Sequence, residues 1–154
     1  MTCITVRKAA AADAPAILAL YRELRPHDPP IANDRLDLLW REVAEGPQSM
    51  VLVAECDEEV ASTCMLATLA NLASGGRPIG VIEHVVTAAR FRRRGLSRRL
   101  LEFALMEAWQ AGCCKVMLLS GMQRSEAHGL YEAVGFKGDV ERGFVAKPPT
   151  TVFA

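Results

Sequence analysis

The sequence predicts an α/β (α+β) fold in a single domain, a mixed sheet with helices on both faces. Three observations lead there. Segments with two-residue apolar alternation are interspersed with amphipathic helical segments along the whole chain. The length of 154 residues suits one domain. Hydrophobic residues make up 51% and charged residues 23%, which provides for a core and argues against a disordered chain.

Residues 3–8 read as a strand, since Ile4 and Val6 alternate with Thr5 and Arg7. Asp13, Ala14 and Pro15 predict a helix start, with Asp13 as N-cap and proline in the first turn. Ile17, Leu20, Tyr21 and Leu24 form its apolar face, and the proline-rich stretch 25–30 ends it. A second helix spans about 34–44, with Leu36, Leu39, Trp40 and Val43 as its stripe and Gly46–Pro47 as its stop. Residues 50–55 and 60–69 predict a hairpin across the acidic turn 56–59. Residues 71–78 read as a loop and 80–87 as a strand. An amphipathic helix follows from about 95 to 111, then a strand over 115–120 and a helix over 125–133 that Gly135 stops. Phe136 and residues 143–145 suggest one or two closing strands. Trp40 and Trp109 lie in apolar stripes and are expected in the core.

Several function classes drop out. Eighteen basic residues balance eighteen acidic ones, and aromatics are 6%, so a nucleic-acid partner is not expected. The longest uncharged stretch, 60–76, is interrupted by Ser62, Thr63, Thr68, Asn71 and Ser74, so no membrane span is expected. Charges at Asp13, Arg22, Glu23 and Arg25 argue against a signal peptide. Five cysteines without a C-x-x-C pair signal neither zinc nor a redox motif. The expectation is a cytoplasmic protein with reduced cysteines and no metal.

The chemistry concentrates between Glu83 and Arg99. A strand runs into Arg90-Phe91-Arg92-Arg93-Arg94-Gly95-Leu96-Ser97, where a helix begins. Such a junction collects free backbone N–H groups and the positive helix end, a site for an anion such as a pyrophosphate. Gly95 permits close backbone approach. Arg90, Arg92, Arg93, Arg94, Arg98 and Arg99 are a third of the basic residues. Cations at a helix N-terminus oppose the dipole unless an anion arrives. A solvated basic face is the competing explanation.

Arg92-Arg93-Arg94-Gly95-Leu96-Ser97 resembles the acyl-CoA loop of the GNAT superfamily of N-acetyltransferases, Q/R-x-x-G-x-G/A, with Ser97 in place of the usual Gly or Ala. A second segment, residues 127–136, is similar to that family's A-x-x-F/L-Y-x-x-x-G-F near the C-terminus. The resemblance implies a splayed mixed sheet with acetyl-CoA in the gap between the fourth and fifth strands. The pantothenate arm would pair with backbone of Val85, Val86 and Thr87. The pyrophosphate would meet the loop formed by Arg92, Arg93, Arg94, Gly95, Leu96, Ser97 and Arg98, with spare arginines for the 3′-phosphate. Arg124 stands where many members have an Asn that touches the pantothenate, so that contact is not assigned.

Direct acetyl transfer to a primary amine, that of a small molecule, is the implied reaction. It needs a base, an oxyanion donor and an acid. Tyr131 is the candidate acid, because a phenol with a pKa of about 10 stays protonated at pH 7. Glu83 is the candidate base, directly or through water, with His84 as alternate. Strand alternation predicts Glu83, Val85 and Thr87 on one face and His84 and Val86 on the other. A backbone N–H near Val85 or Val86 would be the oxyanion donor. Tyr21, His27 and Asp28 lie where the family lines its acceptor pocket and are candidate substrate contacts. A homodimer is a further open expectation. A CoA-binding module without catalysis is the rival reading.

Overall fold

The computed structural model describes residues 2–149. They form two compact units, with the boundary between Leu118 and Leu119. The first unit holds β1 (Ile4–Lys8), α1 (Ala14–Leu24), α2 (Asn33–Ala44), β2 (Ser49–Cys56), β3 (Glu59–Leu69), β4 (Ile79–Thr87), α3 (Leu96–Gln110) and β5 (Lys115–Leu118). The second holds α4 (Ser125–Ala133).

The five strands lie in chain order, β1-β2-β3-β4-β5, antiparallel except for the parallel β4–β5 pair. β2 and β3 are joined by a tight hairpin, whereas β1 reaches β2 through α1 and α2, and the parallel β4–β5 pair needs the crossover that α3 provides. Asp57 and Glu58 both adopt positive φ, 50° and 67°, as a two-residue hairpin turn requires. Asp57 Oδ1 also accepts the Cys3 N–H at 2.9 Å.

Helices cover both faces. Val51 and Val53 pack with Ile17, Tyr21, Trp40 and Val43 under α1 and α2. Leu52, Leu66 and Ile82 point the other way and are fully buried, as are Leu96, Leu100, Leu101, Ala104 and Ala108 of α3. Lys8, the register partner of Leu52, reaches Glu107 of α3 at 3.2 Å, which confirms the assignment of faces. A side chain is unwelcome at Gly80, whose added Cβ would sit 3.0 Å from Val116 Cγ2 across the β4–β5 pair.

Four sequence expectations are corrected. Asp13 does not cap α1 with its side chain. A 3₁₀ turn over Ala11–Asp13 already gives Asp13 helical dihedrals, and its carboxylate turns back to the Ala10 N–H at 2.7 Å and to Arg7 at 2.7 and 3.0 Å. Strand β5 stops at Leu118, short of Ser120. The closing strands at Phe136 and residues 143–145 do not form among the described residues. Phe144 and Val145 are exposed, and Gly138, Gly143, Pro148 and Pro149 disfavour a paired strand there. Trp109 is 53% exposed, because the stripe that meets the sheet passes through Ala104 and Ala108. With Glu102, Leu105, Met106 and Gln110 it lines a shallow depression of about 510 Å³ that contains none of the candidate site residues. Trp40, by contrast, packs partly buried against the α1/α2 core.

Arg7 also bonds Glu55 through Nε at 3.0 Å, so it ties β1 and β2 to the turn before α1. The hydrogen bonds from Arg7 hold the Asp13 carboxyl below its ordinary pKa. That favours the folded state above pH about 4 and is lost as pH falls through the lowered value. Asp13→Asn is therefore expected to cost about 1–2 kcal/mol at pH 7, allowing for the partial exposure of Arg7. Urea unfolding at pH 7 and pH 3 checks this: the gap from wild type should shrink at the lower pH. An equal gap at both would remove the ion pair as its cause.

Candidate active site

Strand β4 is broken by a bulge. Met65 pairs with Glu83 and Thr63 with Val86, so Cys64 faces both His84 and Val85. His84 takes a φ of 55°, unusual for a residue with a side chain and costing of order 1–3 kcal/mol. A bulge takes backbone N–H groups out of the ladder and re-aims side chains.

The bulge also switches the parity of the strand, which corrects the expected alternation. Glu83 shares a face with Met65 and Val51, and Val86 with Thr63 and Val53. That is the α1/α2 face. Thr87 pairs with Ser62 on the α3 face, opposite Glu83. His84 is not separated from Glu83 either. Its ring lies 5.2 Å from that of Tyr21 on α1, tilted by 58°. Glu83 is half-buried; the Arg25 guanidinium, at the end of α1, is held above its ordinary pKa by its hydrogen bond to Asp28 first and, to a lesser degree, by the charge of Glu83.

Tyr21 is thus beside the bulge. Burial pushes its phenol up to about 12, so it stays neutral throughout the physiological range. His27 is exposed in the turn after α1. Asp28 is ion-paired with Arg25 at 2.5 Å and exposed.

On the side facing β5, only Ile79–Ile82 of β4 have register partners, in Lys115–Leu118. Residues 83–87 run on beyond the last pair, so this edge of β4 has no β5 partner from Glu83 onward. Next to this free edge the chain turns through Arg92–Gly95 into α3. Arg93 and Gly95 both have positive φ, 63° and 79°, and Gly95 is the N-cap residue. A Cβ on Gly95 would meet nothing within 4 Å, so glycine serves the backbone conformation and leaves the space in front of it open. The first-turn N–H groups of Leu96, Ser97 and Arg98 have no intrahelical acceptor.

The arginines divide. Arg90 pairs with Glu59, and both Arg90 and Arg94 stack on buried Phe91, at 4.7 and 5.3 Å from its ring centre. Arg98 pairs with Glu102 at 2.9 Å, and Arg99 reaches Ile4 O at 3.5 Å. Arg92 donates to Thr87 O at 3.4 Å. Arg93 has no ion pair or hydrogen bond to the described residues and is exposed. A uniform basic face is therefore not what the six residues form.

Three hydroxyls link the end of β4 to the start of α3. Ser62 Oγ donates to Val86 O at 2.9 Å and lies 2.7 Å from Thr87 Oγ1, which lies 2.5 Å from Ser97 Oγ. Sequence reasoning singles out Thr87 and Ser97 but misses Ser62, since a serine inside a strand carries no local signal.

In the second unit, Tyr131 is buried on α4 and its spacing to Gly135-Phe136 has a physical basis. Gly135 has a φ of 106° and donates to Glu132 O, while Phe136 N–H donates to Tyr131 O at 3.0 Å. This is the Schellman cap, and the Tyr131 and Phe136 rings complete it edge-on at 6.2 Å. His128, half-buried, bonds Gly121 O at 2.9 Å.

No helix among the described residues is long and apolar enough to cross a membrane. The model of the GNAT acetyltransferase family matches residues 15–136. A provisionally assigned acetyltransferase from Agrobacterium tumefaciens str. C58 is 32% identical, with a TM-score of 0.86 over 94% of this chain and 99% of that one. The glucosamine-6-phosphate N-acetyltransferase of Arabidopsis thaliana shares the fold at 20% identity, with a TM-score of 0.80 over 96% and 99% of the two chains. So does the aminoglycoside N-acetyltransferase AAC(6')-Iy in complex with CoA, at 16% identity and a TM-score of 0.80 over 96% of each chain. A search of curated proteins gave no match. With the family model covering most of the chain and a 32% identical structure spanning nearly all of it, this chain belongs to the GNAT acetyltransferase family.

Proposed function

We propose that this chain, acting as one catalytic domain, transfers the acetyl group of acetyl-CoA directly to the primary amine of a small molecule. One observation carries the reading: residues 83–87 of β4, paired to β3 but without a β5 partner on their other edge, lead to a glycine-capped helix start with free N–H groups. The first offers an amide-bearing arm extended pairing, and the second offers a pyrophosphate its donors. Val85, Val86 and Thr87 take the arm. The loop from Arg92 to Arg98 takes the pyrophosphate, with Arg93 free to meet phosphate charge.

Acetyl-CoA supplies the acetyl group as a thioester. A backbone N–H at the His84–Val85 bulge donates to the thioester oxygen as charge develops on it. Glu83 takes the amine proton, directly or through water. The new bond joins the amine nitrogen to the acetyl carbon, and the carbon–sulfur bond breaks. Tyr131 returns a proton to the departing sulfur. Tyr21 and His84 form one wall of the acceptor side, with His27 and Asp28 beyond it. Tyr21 acts there as a neutral group. A cytoplasmic setting and a homodimer belong to the same reading.

The test follows thiol release from acetyl-CoA across a panel of small amines and short peptides. Release with a small primary amine, with the N-acetylated product identified by mass, supports the proposal. Acetyl-CoA binding without turnover on any amine would favour a CoA-binding module. Salt-dependent oligonucleotide binding without acetyl-CoA binding would overturn both.

A further inference from the structure

We propose that Ser62, on β3, is a positioning residue for the acyl-CoA loop, acting through Thr87 and Ser97. The inference rests on the acetyl-CoA reading above and extends it to a residue outside the loop. Ser62 is fully buried, so its hydroxyl must find partners within the protein.

The direction of the hydroxyl chain follows from counting protons. A serine or threonine hydroxyl has one proton to give and two lone pairs to accept with. Val86 O can only accept, so Ser62 spends its proton there. Thr87 must then donate to Ser62, and Ser97 must donate to Thr87. Each donor polarises the next, and the chain runs one way from α3 into the sheet.

Two consequences follow. Ser97, in the first turn of α3, is tied to the last residue of β4, which is itself tied to β3. The helix start and the free β4 edge, the two surfaces proposed to hold acetyl-CoA, are thereby held in one fixed relation. Second, the Ser97 proton is committed to Thr87, so Ser97 presents only lone pairs outward. Its side chain does not offer a proton to a phosphate, so what position 97 gives the pyrophosphate is its backbone N–H. Serine at this position, where Gly or Ala is usual for the loop, is thus an anchor.

The test compares Ser62→Ala, Thr87→Val and the double variant with wild type, reading acetyl-CoA Kd by calorimetry and steady-state kinetics on one accepted amine. Ser62→Ala is expected to raise the Kd and KM for acetyl-CoA about tenfold, the factor that 1.4 kcal/mol represents. The KM for the amine should not move, and kcat should stay within about twofold, the pattern of lost binding without lost chemistry. Because all three hydroxyls form one chain, the double variant should be no worse than the worse single variant. Ser62→Thr, which keeps a hydroxyl, should restore much of the affinity. Thr87→Val keeps the shape of Thr87 and breaks the same chain, so it tests the proposal even if Ser62→Ala folds poorly. Unchanged acetyl-CoA affinity in folded Ser62→Ala and Thr87→Val, or effects that simply add, would overturn the anchor while leaving the acetyl-CoA reading intact. Wild type that fails to bind acetyl-CoA would overturn both.

Discussion

Tyr131→Phe is expected to lower kcat by about 10²–10⁴, the usual contribution of a positioned proton donor. The substitution removes one hydroxyl and keeps the ring. The ring supports the helix stop, because it meets Phe136 edge-on over the Gly135 turn. Folding should therefore survive, and acetyl-CoA affinity should stay near wild type. Glu83→Gln, measured alongside, should lower kcat and flatten the acidic limb of the pH–rate profile if Glu83 is the base. The measurement is kcat against pH for all three enzymes on one amine, with chemistry shown to limit the rate. A Tyr131→Phe enzyme within threefold of wild type would remove Tyr131 from the mechanism. An unchanged acidic limb in Glu83→Gln would move attention to His84, which lies on the same side of the sheet.

Gly95→Val should abolish acetyl-CoA binding in a protein that still folds. Wild type in a hundredfold excess of acetyl-CoA over Kd should gain about 2.7 kcal/mol of stability. The residue at 95 has a φ of 79°, which a β-branched side chain strongly resists. Relaxing that strain rotates the first-turn N–H groups away from a common point. The space around position 95 is open, so the valine clashes with nothing in the protein itself. It would project into the volume that the pyrophosphate is proposed to fill. Thermal melts with and without acetyl-CoA make the comparison. A shift equal to that of wild type would refute the loop assignment.

The elements were legible because their signals are local. Alternation marked β1 to β4, prolines and Gly46 ended α1 and α2, and the glycine at 135 marked the stop of α4. The two motifs were legible for a similar reason. Gly95 starts a helix with positive φ, and Tyr131, Gly135 and Phe136 build one Schellman cap, so each motif is a short-range backbone requirement written into fixed spacing.

What sequence reading missed depends on partners far along the chain. Trp109 lies on an amphipathic helix, but only packing against the sheet decides which stripe is covered. Phe144 and Val145 have strand-forming side chains, yet a strand exists only where another offers free hydrogen-bonding groups. The face of Glu83 was misread because alternation holds only while the register holds. One residue of β3, Cys64, opposes two of β4, and that count is set by pairing across about twenty residues, beyond any local window. Ser62, Thr87 and Ser97 meet for the same reason: 25 and 10 residues separate the linked pairs, and only the sheet and the helix packed on it bring the three hydroxyls together. The sequence by itself thus determined the family, the order of elements from β1 to α4 and the residues that carry the motifs. The tertiary structure alone decided which faces those residues share and what holds them there, because long-range pairing and packing leave no periodic trace in the residues that take part.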